Sequence, residues 1–320
     1  MNQLDNNATS PIRVGMIGLG MMGSAIAKNI RRRGFPLTVL AHRSRSAVER
    51  LVSEGASEAR SASELAAQSD ILVISVTGTD QVRAVLWNDV GVMDGAHSGL
   101  VVMDTSTCDP LLAREADDDL ACRGARYLDA PVNRTPKEAE EGRLNSLVGG
   151  DAKALEFARP VMESYSESIH HLGAVGSGYR AKLIHNFISQ ANITIIAEAM
   201  CTAAKVGLDL NEFISLCGLS GAHSKAFDRV TPYLLSGDDS GQRFALRNAA
   251  KDMWSYSQLA ASYGSTAIVA EAVRQTYVLA TQLGYGDQHV PHLFDVLGEL
   301  NNVRVSAMSP PESSKRSRQA

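Results

Sequence analysis

Hydrophobic and polar positions follow two different periods in the two halves of the chain. In the first half, residues 12–17, 37–41, 71–76 and 100–104 are short apolar runs rich in β-branched side chains. Runs of that length, without alternation, are what strands buried on both faces require. Between them, residues 22–33, 46–54, 63–68 and 80–87 are amphipathic or alanine-rich segments of helical length. Strand–helix alternation of this kind predicts a parallel sheet covered by helices on both faces. Residues 127–129, 145–148 and 169–172 read as further short strands, with a helix over 152–162 between the last two. The pattern then changes. Residues 178–206 form one long helical pattern without proline, and every apolar segment from there to residue 302 has helical spacing. The breaks fall at glycines, Gly207, Gly237 and Gly264 among them. The expectation is an α/β domain over residues 11–174 and an all-helical domain over residues 175–303, with the boundary near 173–178. The polar segments 1–10 and 304–320 are expected to be disordered tails.

Composition narrows the function classes. Of 320 residues 44% are hydrophobic and 21% charged, with 31 basic and 35 acidic side chains and a net charge of -4. No basic excess points to nucleic acid, and no apolar run is long enough for a membrane span. Residues 1–10 lack the apolar stretch of a secretory signal. The four cysteines, Cys108, Cys122, Cys201 and Cys217, show no CxxC spacing and suit a reducing cytoplasm. Cys201 and Cys217 read as small core residues. His289 and His292 have no accompanying ligand motif, so no metal is expected.

Gly18-Leu19-Gly20-Met21-Met22-Gly23 spells GxGxxG directly after a predicted strand and at the start of a predicted helix. That context turns a weak motif into a dinucleotide-binding fingerprint. Gly18 permits the tight turn, Gly20 lets a pyrophosphate approach the backbone, and Gly23 packs helix on strand. The helix amides then face the phosphates. The fold class is therefore an N-terminal Rossmann domain with a doubly wound, mostly parallel sheet, followed by an all-helical C-terminal domain. The end of the second strand selects the cofactor. An acid there would hold the ribose hydroxyls of NAD. The chain instead runs Leu40-Ala41-His42-Arg43-Ser44-Arg45, with no acid until Glu49. His42, Arg43 and Ser44 suit the 2′-phosphate of NADP, which is expected in preference to NAD. A solvated basic loop is the competing explanation.

Four further motifs follow: Asp104-Thr105-Ser106-Thr107; Asp129-Ala130-Pro131-Val132 with Gly142-Arg143-Leu144 and Val148-Gly149-Gly150; Gly176-Ser177-Gly178 followed by Lys182 and Asn186; and Phe244 followed by Lys251-Asp252. With the glycine motif, they make this chain resemble the β-hydroxyacid dehydrogenase family, which includes 3-hydroxyisobutyrate dehydrogenases and glyoxylate/succinic semialdehyde reductases. The resemblance implies that Lys182 is the catalytic lysine, with Asn186 on the same helix face. It implies that Ser106 and Thr107 lie near the nicotinamide. It also implies that Lys251 and Asp252 close over the cofactor, and that Phe244 packs beside the substrate. Val76 ends the strand predicted over 71–76 and Thr77 follows it, and both are expected to meet the cofactor through their backbone. The family usually has a proline-containing turn there, where this chain has Thr77-Gly78.

The residues point to Lys182 independently. The chain has eight lysines, and Lys182 lies near the start of an otherwise alanine- and isoleucine-rich helix where solubility does not call for one. Partial burial there disfavours the ammonium form and prepares the group to exchange a proton. A lysine that snorkels from a helix end is the plainer alternative, as a surface charge pair is for Lys251-Asp252.

One loop departs from the family. Where Asp-Ala-Pro-Val is commonly followed by Ser-Gly-Gly, this chain has Asn133-Arg134-Thr135. It resembles the Gly-Arg-Thr version of sulfolactaldehyde reductases, in which the arginine recognises a sulfonate. Asn133, Arg134 and Thr135 are therefore expected to bind the anionic end of the substrate, unless Arg134 turns outward to Glu138 or Glu141. The expected activity is NADP-linked reduction of a small acidic aldehyde, or the reverse oxidation. A sulfonate substrate and a non-catalytic NADP-binding protein are the alternatives. The apolar residues Ile184, Phe187, Ile188, Ile195 and Ile196 on one helix point to a homodimer or homotetramer.

Overall fold

The computed structural model describes residues 11–41 and 45–305. The chain divides into two compact units, residues 1–182 and 183–320.

In the first unit the uninterrupted apolar runs become strands with every residue buried, as in Val14–Ile17 and Ile71–Ile74. The elements are β1 (Val14–Ile17), α1 (Met21–Arg32), β2 (Leu37–Leu40), α2 (Arg45–Ser53), β3 (Ser57–Ala59), α3 (Ala62–Gln68), β4 (Ile71–Ile74), α4 (Thr79–Trp87), α5 (Val92–Gly95), β5 (Val101–Asp104), α6 (Pro110–Ala121) and β6 (Arg126–Asp129). The strands pair in the order β3-β2-β1-β4-β5-β6, parallel at every step. The order reverses beside β1, which is where a sheet of this kind opens a crevice at its carboxyl edge. Ile17, Leu40, Ile74, Asp104 and Asp129 stand in register along that edge.

The remaining expected strands do not extend this sheet. After β6 come β7 (Val132–Asn133), α7 (Pro136–Glu140), β8 (Leu144–Val148), α8 (Ala152–Met162) and β9 (Ser166–His171). β7, β8 and β9 form a separate sheet, antiparallel between β7 and β8 and parallel between β8 and β9. The long helix, α9, spans Ser177–Lys205.

The two compact units meet after Lys182, a few residues beyond the expected boundary near 173–178. The physical reason is Tyr179. It is fully buried in the core of the first unit, and its backbone and hydroxyl bond to residues of that unit. The start of α9 therefore belongs to the α/β unit.

The second unit contains the rest of α9, then α10 (Leu210–Gly218), α11 (Lys225–Ser236), α12 (Leu246–Ser262), α13 (Ile268–Ala280) and α14 (Leu293–Asn301). Its core joins Ile193, Ala197 and Met200 of α9 to Val230, Met253, Val273, Tyr277 and Phe294. Cys201 and Cys217 are buried in that core. Among the described residues no helix is long and apolar enough to cross a membrane.

Candidate active site

The glycine turn connects β1 to α1. Gly18 has φ +92°, and a Cβ there would lie 2.1 Å from the carbonyl oxygen of Ser75. Leu19 is half-buried and its carbonyl accepts from the Ser24 hydroxyl at 2.8 Å, which fixes the loop on the helix it opens. α1 starts from Gly20 with no side-chain cap and no acid in its first turn. Its first amides are thus left for an anion, and the helix dipole favours one there. A Cβ on Gly20 would meet nothing within 4 Å, so the approach to those amides is open. Met21 is exposed beside it, Met22 is half-buried against the core, and Gly23 is buried on β1's side. This is a cradle that a dinucleotide diphosphate fits.

The loops that follow β4 and β5 are joined to each other. The Ser106 hydroxyl accepts from the backbone amide of Val76 at 2.9 Å, and the Ser106 amide donates to Asp104 at 2.8 Å. Ser106 is buried, Thr107 half-buried and Thr77 exposed. His42, Arg43 and Ser44, expected around a 2′-phosphate, lie outside the described residues. The neighbouring Arg45 is described, and it pairs with Glu58 and with Glu49.

The residue that organises the other side is Asp129, at the end of β6. Its carboxylate accepts from the amides of Gly176 and Tyr179 at 2.7 and 2.8 Å. It thereby caps the start of α9. The glycines of the Gly-Ser-Gly motif make this approach possible, because a Cβ on Gly178 would lie 2.3 Å from the Asp129 carbonyl oxygen. Burial pushes the Asp129 carboxyl up from 3.8 to about 6, against the pull of the backbone amides. A folded-state value above the unfolded one favours the folded chain while the group is protonated. This contribution is therefore lost as the pH rises from about 4 through about 6, and is worth roughly 3 kcal/mol over that window. The unfolding free energy of wild type minus that of Asp129→Asn should accordingly fall with pH across that range and level off above it. Denaturant titrations at stepped pH check it, and a difference independent of pH would contradict it.

With α9 anchored in this way, Lys182 reaches back over the second sheet. Its Nζ donates to the Val132 carbonyl at 2.8 Å and to Asn133 Oδ1 at 2.6 Å. The structure thus brings together Lys182 and Asn133, two of the expected site residues. The other two loop residues differ. Arg134 does not turn to Glu138 or Glu141. Its guanidinium bonds the Arg143 carbonyl at 2.8 Å and pairs with Glu167 on β9. Its backbone sits at φ +89°, a region that favours glycine and is costly for other residues. Thr135 is the N-cap of α7, and both its amide and its hydroxyl donate to Glu138. Thr135, expected at the substrate anion, gives its hydroxyl proton to Glu138 in this structure, an arrangement that the Thr-Pro-x-Glu start of the helix favours.

In the second unit, Asn186 Nδ2 donates to Asp252 Oδ2 at 2.7 Å, and Asp252 Oδ1 lies 3.3 Å from Lys251 Nζ. Asp252 is 2% exposed and Asn186 7%. Asp252, expected beside the cofactor, is buried and accepts the Asn186 amide, while Lys251 stays partly exposed. Phe244 is half-buried against the helical core, and its carbonyl accepts from the Val290 amide at 2.8 Å. Among the described residues no group of His, Cys, Asp and Glu side chains could hold a metal ion. His289 pairs with Asp239, a partner that sequence spacing does not reveal, and His292 with Asp295 three residues on.

Residues 13–173 match the model of the NAD binding domain of 6-phosphogluconate dehydrogenase. Residues 176–297 match that of the NAD-binding domain of NADP-dependent 3-hydroxyisobutyrate dehydrogenase. The 3-sulfolactaldehyde reductase of Escherichia coli is 30% identical over 294 residues, covering 92% of this chain and 96% of that protein. The chain belongs to the β-hydroxyacid dehydrogenase family. The crystal structure of a 3-hydroxyisobutyrate dehydrogenase from Salmonella typhimurium agrees, with TM-score 0.80 and 28% identity over 89% of this chain and 99% of that one. A second solved structure, described in complex with NADP+ and 2-OPP, has TM-score 0.79 and 25% identity over 89% of this chain and 99% of that one. Members of the family are NAD(P)-dependent oxidoreductases of CH–OH groups, and the diphosphate cradle at Gly18–Gly23 fits that class.

Proposed function

We propose that the protein is an NADP-dependent reductase of a small anionic aldehyde, or catalyses the reverse oxidation of the hydroxyacid, with Lys182 as general acid and base. The observation that supports this best is Lys182 Nζ held between the Val132 carbonyl and Asn133 Oδ1, on the helix that also bears Asn186. When bound, the nicotinamide cofactor supplies or accepts the hydride. The amides at the start of α1 would hold its diphosphate, with Val76, Thr77, Ser106 and Thr107 along its nicotinamide side. NADP is favoured over NAD because no acid ends β2, and because Arg43 and Ser44 follow it.

The chain's own residues then do the following. Lys182 gives an Nζ proton to the carbonyl oxygen during reduction, and as a neutral amine takes it back during oxidation. Asn186 has a second Nδ2 hydrogen beyond the one given to Asp252, and donates it to the substrate. Asp252 fixes the plane of that amide. Asn133 and Arg134 receive the substrate's anionic end, for which the guanidinium exchanges Glu167. A carboxylate or a sulfonate satisfies the same donors. Arginine at a position whose φ suits glycine favours a functional reason for its presence, which keeps the sulfonate in view.

Arg134→Gly is expected to raise the KM of anionic aldehydes by about tenfold or more, with little change for an uncharged aldehyde. It should also stabilise the fold by about 1 kcal/mol through relief of the positive φ. Steady-state kinetics on matched charged and neutral aldehydes check this. An unchanged KM for every anionic substrate would remove Arg134 from the site.

We also propose a homodimer or homotetramer. Ile184, Ile188 and Ile195 remain exposed on α9, at 46%, 56% and 61%, and apolar surface in that amount marks an interface. Light scattering at micromolar concentration should give at least twice the chain mass, and a monomer would refute it.

A further inference from the structure

Two carboxylates stand side by side at the carboxyl edge of the main sheet. Asp104 ends β5, Asp129 ends β6, and the two are partners in the ladder. Both are wholly buried, and neither takes part in the proton transfer above. Burying a carboxylate is costly unless its oxygens are bonded, so what each one holds is informative. Asp129 holds the amides of Gly176 and Tyr179. Asp104 accepts the Ser106 amide on Oδ1. On Oδ2 it accepts two phenols, Tyr127 at 2.9 Å and Tyr179 at 2.5 Å, which are themselves 2.9 Å apart. Tyr179 is thus gripped twice, by Asp129 at its amide and by Asp104 at its hydroxyl. It lies one helical turn before Lys182 and on the same face of α9. Tyr127 bonds the same oxygen from β6 and lies outside that helix. Asp104 also secures Ser106, which ties the loop after β5 to the one after β4.

We propose that Asp104 and Tyr179 are positioning residues for Lys182: the hydrogen bond between them sets the rotation of the first turn of α9, and so the place of Lys182 Nζ opposite Asn133. The proposal rests on Lys182 being the proton donor. The two phenols supply an internal control, because each gives one hydrogen bond to the same carboxylate oxygen and only one lies on the helix of Lys182.

The test compares Tyr179→Phe with Tyr127→Phe. Both should lower the melting temperature modestly and leave NADPH affinity, followed by cofactor fluorescence, within about twofold. Only Tyr179→Phe should lower kcat, by about ten- to a hundredfold, and shift the alkaline limb of kcat, where Lys182 loses its proton. Amide exchange at residues 176–182, measured without substrate, should quicken in Tyr179→Phe alone. If Tyr179→Phe does not fold, Asp104→Asn keeps the volume and one acceptor oxygen, and is expected to show the same fall in kcat and the same shift. The assignment is overturned if the folded variant keeps wild-type kcat and pH profile, or if Tyr127→Phe matches Tyr179→Phe in both. Failure of the Lys182 assignment itself shows differently, as full activity in Lys182→Ala.

Discussion

Lys182→Ala is expected to lower kcat for aldehyde reduction by about a thousandfold, with NADPH affinity unchanged within about twofold. The size follows from the role proposed for the residue, whose Nζ is held 2.6 and 2.8 Å from Asn133 Oδ1 and the Val132 carbonyl. No other lysine belongs to the start of α9. A developing alkoxide would have no proton donor within reach in the variant, and hydride transfer would create an unstabilised charge. Cofactor affinity should survive because the diphosphate cradle lies at Gly18–Gly23, on α1. Lys182→Arg separates charge from proton transfer. Guanidinium keeps the charge and does not release its proton near neutral pH, so the variant should remain impaired in both directions. Pre-steady-state NADPH oxidation reads all three proteins. More than a tenth of wild-type kcat in Lys182→Ala would take the lysine out of the chemistry.

The second large effect separates two glycines only two positions apart. Gly18→Ala should destabilise the fold by about 3 kcal/mol, because it combines a positive φ with a clash against backbone. The φ is +92° and the new Cβ would lie 2.1 Å from the Ser75 carbonyl oxygen, which has little freedom to move. In a unit of this size that corresponds to a fall in Tm of about 6–12 °C. Gly20→Ala meets no atom within 4 Å, and its cost as an N-cap is only about 0.5–1 kcal/mol. It should melt within about 4 °C of wild type and bind NADPH at least about tenfold more weakly, because the methyl group occupies the approach to the first amides of α1. Thermal melts with and without NADPH decide the matter. A Gly20→Ala protein with wild-type cofactor affinity would move the diphosphate away from this turn.

The main sheet was legible in the sequence because its strands are buried on both faces, which leaves uninterrupted apolar runs such as Ile71–Ile74. β3 gave no such signal, since two of its three residues, Ser57 and Glu58, are exposed. In the small sheet, residues 145–148 and 169–172 were legible as strands, and the rest was not. β7 has two residues, and β9 opens on Ser-Glu-Ser, so neither of those stretches shows a periodic face. At the site, the glycine turn and Lys182 could be read locally. The partners that hold them could not. Asp129 reaches Tyr179, and Asp104 reaches both tyrosines, across dozens of intervening residues. Nothing in their spacing announces that contact. The Thr135 assignment is different, because Thr135-Pro136-Lys137-Glu138 already carries the pattern of a capped helix start. The mate of Arg134 was hidden on a different strand, and so was the positive φ that its glycine-like position requires.

The central claim is that this chain reduces a small anionic aldehyde with NADPH. The most direct measurement is NADPH oxidation by the purified protein against glyoxylate, succinic, tartronic and methylmalonic semialdehydes and sulfolactaldehyde, with NADH run in parallel. The account predicts turnover of at least one of these, with kcat/KM for NADPH at least about tenfold above NADH. Tight NADPH binding with no oxidation by any of them would contradict it and leave a cofactor-binding protein in place of an enzyme.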